Sequence, residues 1–282
     1  MPFLWNVIGK NGQIFGDPDR SASALSTNGL KFSYPGYSEL FCGVVDKSID
    51  SNDKKDNPNL SVLEYLNSLP RYQGKVSAVC TWDVFPSIFR TRQNKLRIIS
   101  GWSLPEGEHA SARQKELAVI MHQLPRYWKD NVFDVITMEA VKDELVQRKP
   151  RVMYIALGET DEWGHGRRYD LYLNAAHNAD QFLADLWQQL QRSPQYAGKT
   201  AMLITTDHGR GSNKVDWTDH GKDVPGAEHI WLAAIGPGVM PKGLREKVNI
   251  KQVQVASTVA RLLGEDFQQA SPKAAPPIEL SK

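Results

Sequence analysis

Long apolar runs are missing from this sequence. No segment approaches the ~20 apolar residues of a spanning helix, and the opening MPFLWNVIGKNGQ lacks the charged, apolar and cleavage regions of a signal peptide. Neither a membrane segment nor a leader is read from it. An excess of one charge is missing too: 34 Lys and Arg stand against 32 Asp and Glu, a net charge of +2, and the basic residues are spread along the chain. That distribution leaves no electrostatic footprint for nucleic acid. Cysteine is scarce. Cys42 and Cys80 are the two present; free or paired, they do not fix a redox compartment. No internal repeat is found.

What is there suits a globular enzyme. With 41% apolar and 23% charged residues among 282, the chain can bury a sizeable core. Residues 1–265 read as one α/β domain and residues 266–282, rich in Pro, Ala and Ser, as a flexible tail. Phe3, Leu4, Val7 and Ile8 have helical spacing, which Gly9 and Asn11-Gly12 end. Residues 14–33 and 46–59 have loop composition. Helical spacing returns at 61–69, and strands are expected at 75–82 and 96–102. Residues 111–147 read as mainly helical with a break near 129–131, and Lys142, Asp143, Glu144 and Arg148 as a solvated helix face. A strand at 151–157, a long helix at 169–190, strands at 200–206 and 229–235 and a helix at 253–263 follow. Within the long helix, His177 and Asp180 read as structural or solvent-facing. The alternation predicts a mostly parallel central sheet with helices on both faces.

The chemistry gathers in two runs, YIALGETDEWGHG and LITTDHGRG. Each is a short apolar strand pattern ending in an Asp and a His, and parallel α/β sheets place ligands at such strand ends. Asp161 and His165 are expected on a turn leaving the first strand, with Gly164 giving the backbone freedom. Asp207 and His208 are adjacent and point to opposite faces on a regular strand, so their convergence needs the turn that Gly209 permits. A third His, His220, follows in WTDHGKDVPG. Any one of these alone is more often an ordinary polar loop residue. Together, carboxylates and imidazoles at strand ends suit a divalent ion such as Zn²⁺ or Mn²⁺. Ser33, in KFSYPGYSELF, precedes another apolar run. It reads either as an ordinary helix cap or as a hydroxyl held near exposed backbone N–H groups.

On these motifs the sequence resembles the alkaline phosphatase superfamily, especially its nucleotide pyrophosphatase/phosphodiesterase-like members. The resemblance covers residues 1–240, with only the short motifs specific. In that family a Thr or Ser nucleophile sits in T/S-x-P, one metal is bound by D-x-x-x-H and a later His, and a second by the nucleophile, a D-H pair and an early Asp. The resemblance implies that Ser33 of S-Y-P is the nucleophile and not a cap. It implies Asp161, His165 and His220 at the first metal, with His229 the competitor for His220, and Asp207, His208 and Ser33 at the second. The family's early Asp ends a strand that precedes a helix like residues 1–8. This sequence begins at that helix, so the first strand is expected to be missing and the second metal site incomplete, with Asp17 and Asp19 the nearby carboxylates.

The activity implied is hydrolysis of a small-molecule phosphate ester through a Ser nucleophile and two divalent ions, Zn²⁺ first and Mn²⁺ or Mg²⁺ as alternatives. A sulfatase is similar in fold, but its nucleophile motif C/S-x-P-x-R requires Arg where Tyr37 stands. A phosphomutase would use similar ligands, and a truncated relative without metals would be a non-catalytic module. Members of the family are often exported; the sequence itself assigns no compartment. Tyr34, Tyr37, Trp82 and Trp163 are candidates for a substrate pocket, with core packing the simpler account.

Overall fold

A computed structural model describes residues 1–281. The chain divides into two compact units, Met1–Asn52 with Trp163–Lys282 and Asp53–Glu162, where the sequence reads as one domain. The division falls inside a helix, Glu159–His165. Among the described residues no helix is long and apolar enough to cross a membrane.

The first unit opens on the expected helix, wound as a π-turn over Leu4–Ile8 and an α-turn over Gly9–Asn11. Its free backbone donors are met from afar: Phe3 and Leu4 N–H each donate to the Asp180 carboxylate at 2.9 Å. Asp180 is thus structural, as read, whereas His177 faces solvent. Phe3, Leu4 and Ile8 bury against Ile14, Ala233 and Ile235.

The loop expected over 14–33 needs correcting. The chain turns at once into β1, Gly12–Phe15, every residue of it buried, and later into β2, Ser23–Leu25. β1 escapes a reading by periodicity because it is four residues long and contains Gln13. The Gln13 side chain is satisfied inside the protein by donating to the Leu280 carbonyl at 2.7 Å and accepting from Arg245. Gly12 also reads as a helix stop, yet it is required here because a Cβ would collide with the Ala234 carbonyl oxygen of the neighbouring strand.

β6 (Met202–Thr205), β7 (Leu232–Ile235), β1 and β8 (Gly243–Leu244) form one sheet in the order β6-β7-β1-β8. β7 is antiparallel to both neighbours and β8 is parallel to β1. β2 pairs in parallel with β9, Asn249–Lys251. The long helix, Tyr169–Arg192, and the helix Val255–Leu262 match the expected spans.

The tail is not loose as expected. Phe267, Ala274, Ile278 and Leu280 are buried, Met240 N–H donates to the Leu280 carbonyl, and Ile278 N–H donates to Thr258 Oγ1. Apolar residues spaced among Pro and Ala carry no period, so composition hides their anchoring role.

In the second unit β3 (Val76–Cys80) is buried throughout between β4 (Arg97–Ser100) and β5 (Val152–Ala156), all parallel. Among the described residues four of the six strand pairings are therefore parallel, and the fold is α/β with mostly parallel sheets. Ser61 and Glu64 form a capping box that starts the helix Val62–Ser68. The helices Ala112–Gln123 and Asp134–Gln147 fill the predicted helical stretch. The solvated face expected on the latter is wrong for two residues. Glu144 is 0% exposed and accepts from Ser77 Oγ at 2.8 Å, and Asp143 is buried against Ser111 Oγ. A charged residue buried with a hydroxyl partner has the same sequence signature as one in water. Cys42 and Cys80 are buried and neither is in a disulfide.

Candidate metal centre

Ser33 lies at the first position of the helix Ser33–Cys42. The N-cap is Phe32, extended and without a side-chain cap bond, so the hydroxyl is not used as a helix cap. It faces His208 instead, Oγ to Nε2 at 3.4 Å. Glycine makes this approach possible. A Cβ on Gly36 would strike the Asp207 carbonyl oxygen, so the first helical turn presses directly on the backbone of the Asp207-His208 loop. That loop leaves β6 at Thr206 and is pinned by Gln252, whose Nε2 donates to the Thr206 and Asp207 carbonyls at 3.0 and 2.7 Å.

Gly36→Ala should therefore push the helix start off the loop and separate Ser33 from His208. A loss of ~1–3 kcal/mol of stability is expected from the overpacking, read by denaturant unfolding, together with a fall in any Ser33-dependent activity.

The imidazoles are oriented by backbone carbonyls. His208, 7% exposed, has Nδ1 at 2.8 Å from the Gly209 carbonyl, and His220 has Nδ1 at 3.1 Å from the Lys31 carbonyl. A carbonyl accepts only, so in both rings Nδ1 carries the proton and Nε2 presents a lone pair, an assignment made from the hydrogen-bond partners. His208 Nε2 faces Ser33 and lies 3.4 Å from Asp207 Oδ2. His220 Nε2 meets His165 Nε2 at 2.9 Å. The His208 and His220 rings stack with centroids 3.8 Å apart, and those of His165 and His220 are 4.8 Å apart. Ser33, His208, His220 and His165 thus form one contiguous row.

Asp161 and His165 do not sit on a turn. They lie one turn apart on the helix Glu159–His165, which puts them on one face, with a carboxylate oxygen within 4.8 Å of a ring nitrogen. Gly164 serves contact, not freedom: a Cβ there would overlap the Arg210 guanidinium. Likewise Gly209 allows a close approach to the His229 carbonyl. His229 points elsewhere, its side chain 60% exposed and 3.9 Å from Glu228 Oε1. Asp17 caps its own turn by accepting from Asp19 N–H, and neither carboxylate joins the row. Tyr34 is buried, Tyr37 stacks on Phe41, and Trp82 meets Phe85 edge-on.

The start of the Glu159–His165 helix depends on a residue the motifs do not reveal. Asp134 Oδ1 accepts from Gly158 N–H at 2.7 Å and from Thr81 Oγ1 at 3.0 Å, and Oδ2 accepts from Glu159 N–H at 3.2 Å. Glu159 Oε1 accepts in return from Asp134 N–H at 2.8 Å. Burial, and after it the Glu159 charge, push the Asp134 carboxyl up to about 7. Burial also drives the Cys80 thiol well above its usual range.

The donor set fits a divalent ion. Within the first unit the His165 and His220 imidazoles, the latter held at Nδ1 by a carbonyl so that Nε2 is the donor atom, are nitrogen ligands of the kind that hold Zn²⁺, and the Asp161 carboxylate lies one helical turn before His165. The fold is α/β with mostly parallel sheets, and these side chains make a candidate site for a divalent ion.

The comparisons agree. Residues 127–266, which carry every predicted site residue except Ser33, match the family model of the Metalloenzyme superfamily. Phosphonate monoester hydrolase from Silicibacter pomeroyi is 13% identical with a TM-score of 0.62, over 99% of this chain and 71% of that one. The PsFucS1 sulfatase from Pseudoalteromonas sp. is 15% identical with a TM-score of 0.57, over 97% and 64%. TAB5 alkaline phosphatase, as a variant with Mg bound, is 13% identical with a TM-score of 0.50, over 91% and 89%. At these identities the likeness is one of fold. No curated protein matches significantly.

Proposed function

We propose that the chain is a metal-dependent hydrolase of phosphate esters with Ser33 as its nucleophile. The observation that carries this reading is the uncapped Ser33 hydroxyl against His208, in a row that continues through His220 to His165. Asp161, His165 and His220 would hold one divalent ion, and Asp207, His208 and Ser33 a second. Bound there, Zn²⁺, or Mn²⁺ or Mg²⁺ in its place, supplies the positive charge that favours an ionised Ser33 oxygen and a departing oxyanion.

The chain's own residues do the rest. The Ser33 Oγ–H bond gives up its proton to solvent as Oγ bonds to phosphorus, and the ester oxygen leaves with its electron pair and takes a proton. Water then displaces Ser33 from phosphorus, releasing phosphate and restoring the hydroxyl. The carbonyls of Lys31 and Gly209 keep the imidazoles in the tautomer that directs Nε2 to the reaction. Tyr37 stacks on Phe41 at the position where a sulfatase motif has Arg, which favours phosphoryl over sulfuryl esters.

Hydrolysis of p-nitrophenyl phosphate and bis-p-nitrophenyl phosphate by the Zn²⁺- or Mn²⁺-loaded protein tests the reading. Turnover of either that chelation abolishes is expected, and the faster substrate separates monoesterase from diesterase. No turnover with any divalent metal contradicts it.

A further inference from the structure

The Lys31 carbonyl that orients His220 is itself held by a chain of hydrogen bonds that returns to the helix of Ser33. Lys31 has a left-handed backbone, φ 55°, without being glycine, a conformation that persists only where the surroundings fix it. Its N–H donates to Asn28 Oδ1 at 2.9 Å, as does that of Leu30, and its ammonium donates to Glu228 Oε2 at 3.0 Å and to the Val224 carbonyl at 3.3 Å. Asn28 Nδ2 in turn donates to Glu39 Oε2 at 2.8 Å. Backbone N–H groups only donate and a carboxylate only accepts, so this network leaves the Asn28 amide one orientation.

Glu39 is 1% exposed, and its carboxylate also accepts from Thr27 N–H at 2.9 Å, Thr27 Oγ1 at 2.6 Å, Asn28 N–H at 2.9 Å and Ser26 Oγ at 3.2 Å. Apolar packing does not account for such a concentration of polar contacts, because Thr27 and Gly29 are exposed and Asn28, Leu30 and Lys31 are half-buried. Glu39 lies six positions after Ser33 on the same helix, ~9 Å further along its axis. The helix that begins with Ser33 therefore also anchors the loop that orients His220, in the order Glu39, Asn28, Lys31, His220.

We propose that Asn28 and Glu39 are positioning residues: through Lys31 they fix the His220 ring with its proton on Nδ1 and Nε2 presented to the ion, and they tie that ligand to the helix carrying Ser33. The proposal rests on the reading of His220 as a metal ligand. An imidazole held at its second nitrogen binds its ion without first losing ring rotation or changing tautomer. One anchor for nucleophile and ligand also preserves their spacing when the helix shifts.

Nitrogen NMR of the histidine rings in metal-free protein at about pH 8, above the usual imidazole range, reads the His220 tautomer, its signal identified by loss in His220→Gln. Zinc affinity is measured beside it by chelator competition. Wild-type protein is expected to show the Nδ1–H form. Asn28→Ala should mix the two tautomers and weaken zinc binding roughly tenfold, the lower end of the loss seen when a ligand histidine loses its outer partner. Thr27→Val removes a bond to the same carboxylate but lies off the chain to Lys31, so it should leave both readouts unchanged. Glu39→Gln should act as Asn28→Ala does, more weakly, and it carries the test if Asn28→Ala does not fold. An unchanged His220 tautomer in Asn28→Ala and Glu39→Gln, or an equal change in Thr27→Val, overturns the relay. Wild-type protein that binds no zinc contradicts the metal-centre reading, and the tautomer then decides the relay by itself.

Discussion

Ser33→Ala is expected to lower turnover of phosphate esters at least about a thousandfold, because the proposed nucleophile is gone. Thermal stability should barely change. Phe32, not Ser33, occupies the N-cap, so replacing Ser33 takes no cap from the helix Ser33–Cys42. An ion at the proposed Asp161, His165 and His220 site should remain bound, since none of these residues is altered. The pairing of near-intact fold and metal with lost turnover separates a nucleophile from a structural serine. Ser33→Ala protein with undiminished activity excludes Ser33 from the chemistry.

Asp134→Asn is expected to change stability in opposite senses at low and high pH. The Asp134 carboxyl is raised from 3.8 to about 7 in the folded protein. Between those values the folded chain binds a proton that the unfolded chain has released, so stability falls as pH rises from about 4 to about 7 and the full cost is present above that. At ~1.4 kcal/mol per unit, a rise of roughly three units corresponds to about 4 kcal/mol. Asn carries no charge and escapes this cost, but it gives up one carboxylate oxygen that accepts from Glu159 N–H, worth ~1 kcal/mol. The variant should therefore be more stable than wild type at about pH 8, by up to about 3 kcal/mol, and slightly less stable at about pH 3.5, where the titration cost has nearly vanished. Denaturant unfolding at both values measures the difference. A difference independent of pH shows that Asp134 is not the group that titrates.

The two predictions rest on residues of different legibility. Ser33, Asp161, His165, Asp207, His208 and His220 stand in motifs whose residue types announce metal chemistry, and the strands before them are apolar runs that periodicity finds. Asp134 stands in no motif. Its role depends on Thr81 and Gly158, each more than twenty positions distant, and such pairings leave no local pattern. The same limit explains β1, whose Gln13 finds its partner in Leu280, and the buried Glu144. Two glycines were read correctly as special but for the wrong reason. Gly164 and Gly209 are needed because another group approaches within the space of a Cβ, which only three-dimensional packing reveals. The helix Glu159–His165 reads as a turn in sequence because its start is supplied by Asp134, not by a local cap.

The most direct test of the central claim is metal content, measured by elemental analysis of the purified chain beside Asp161→Ala, His165→Ala and His220→Ala variants after equilibration with Zn²⁺. The account predicts tightly bound zinc in the wild-type protein and the loss of about one ion per chain in each variant, with the ion at Asp207 and His208 least affected. Wild-type protein that retains no zinc, or variants that retain as much as wild type, would contradict it.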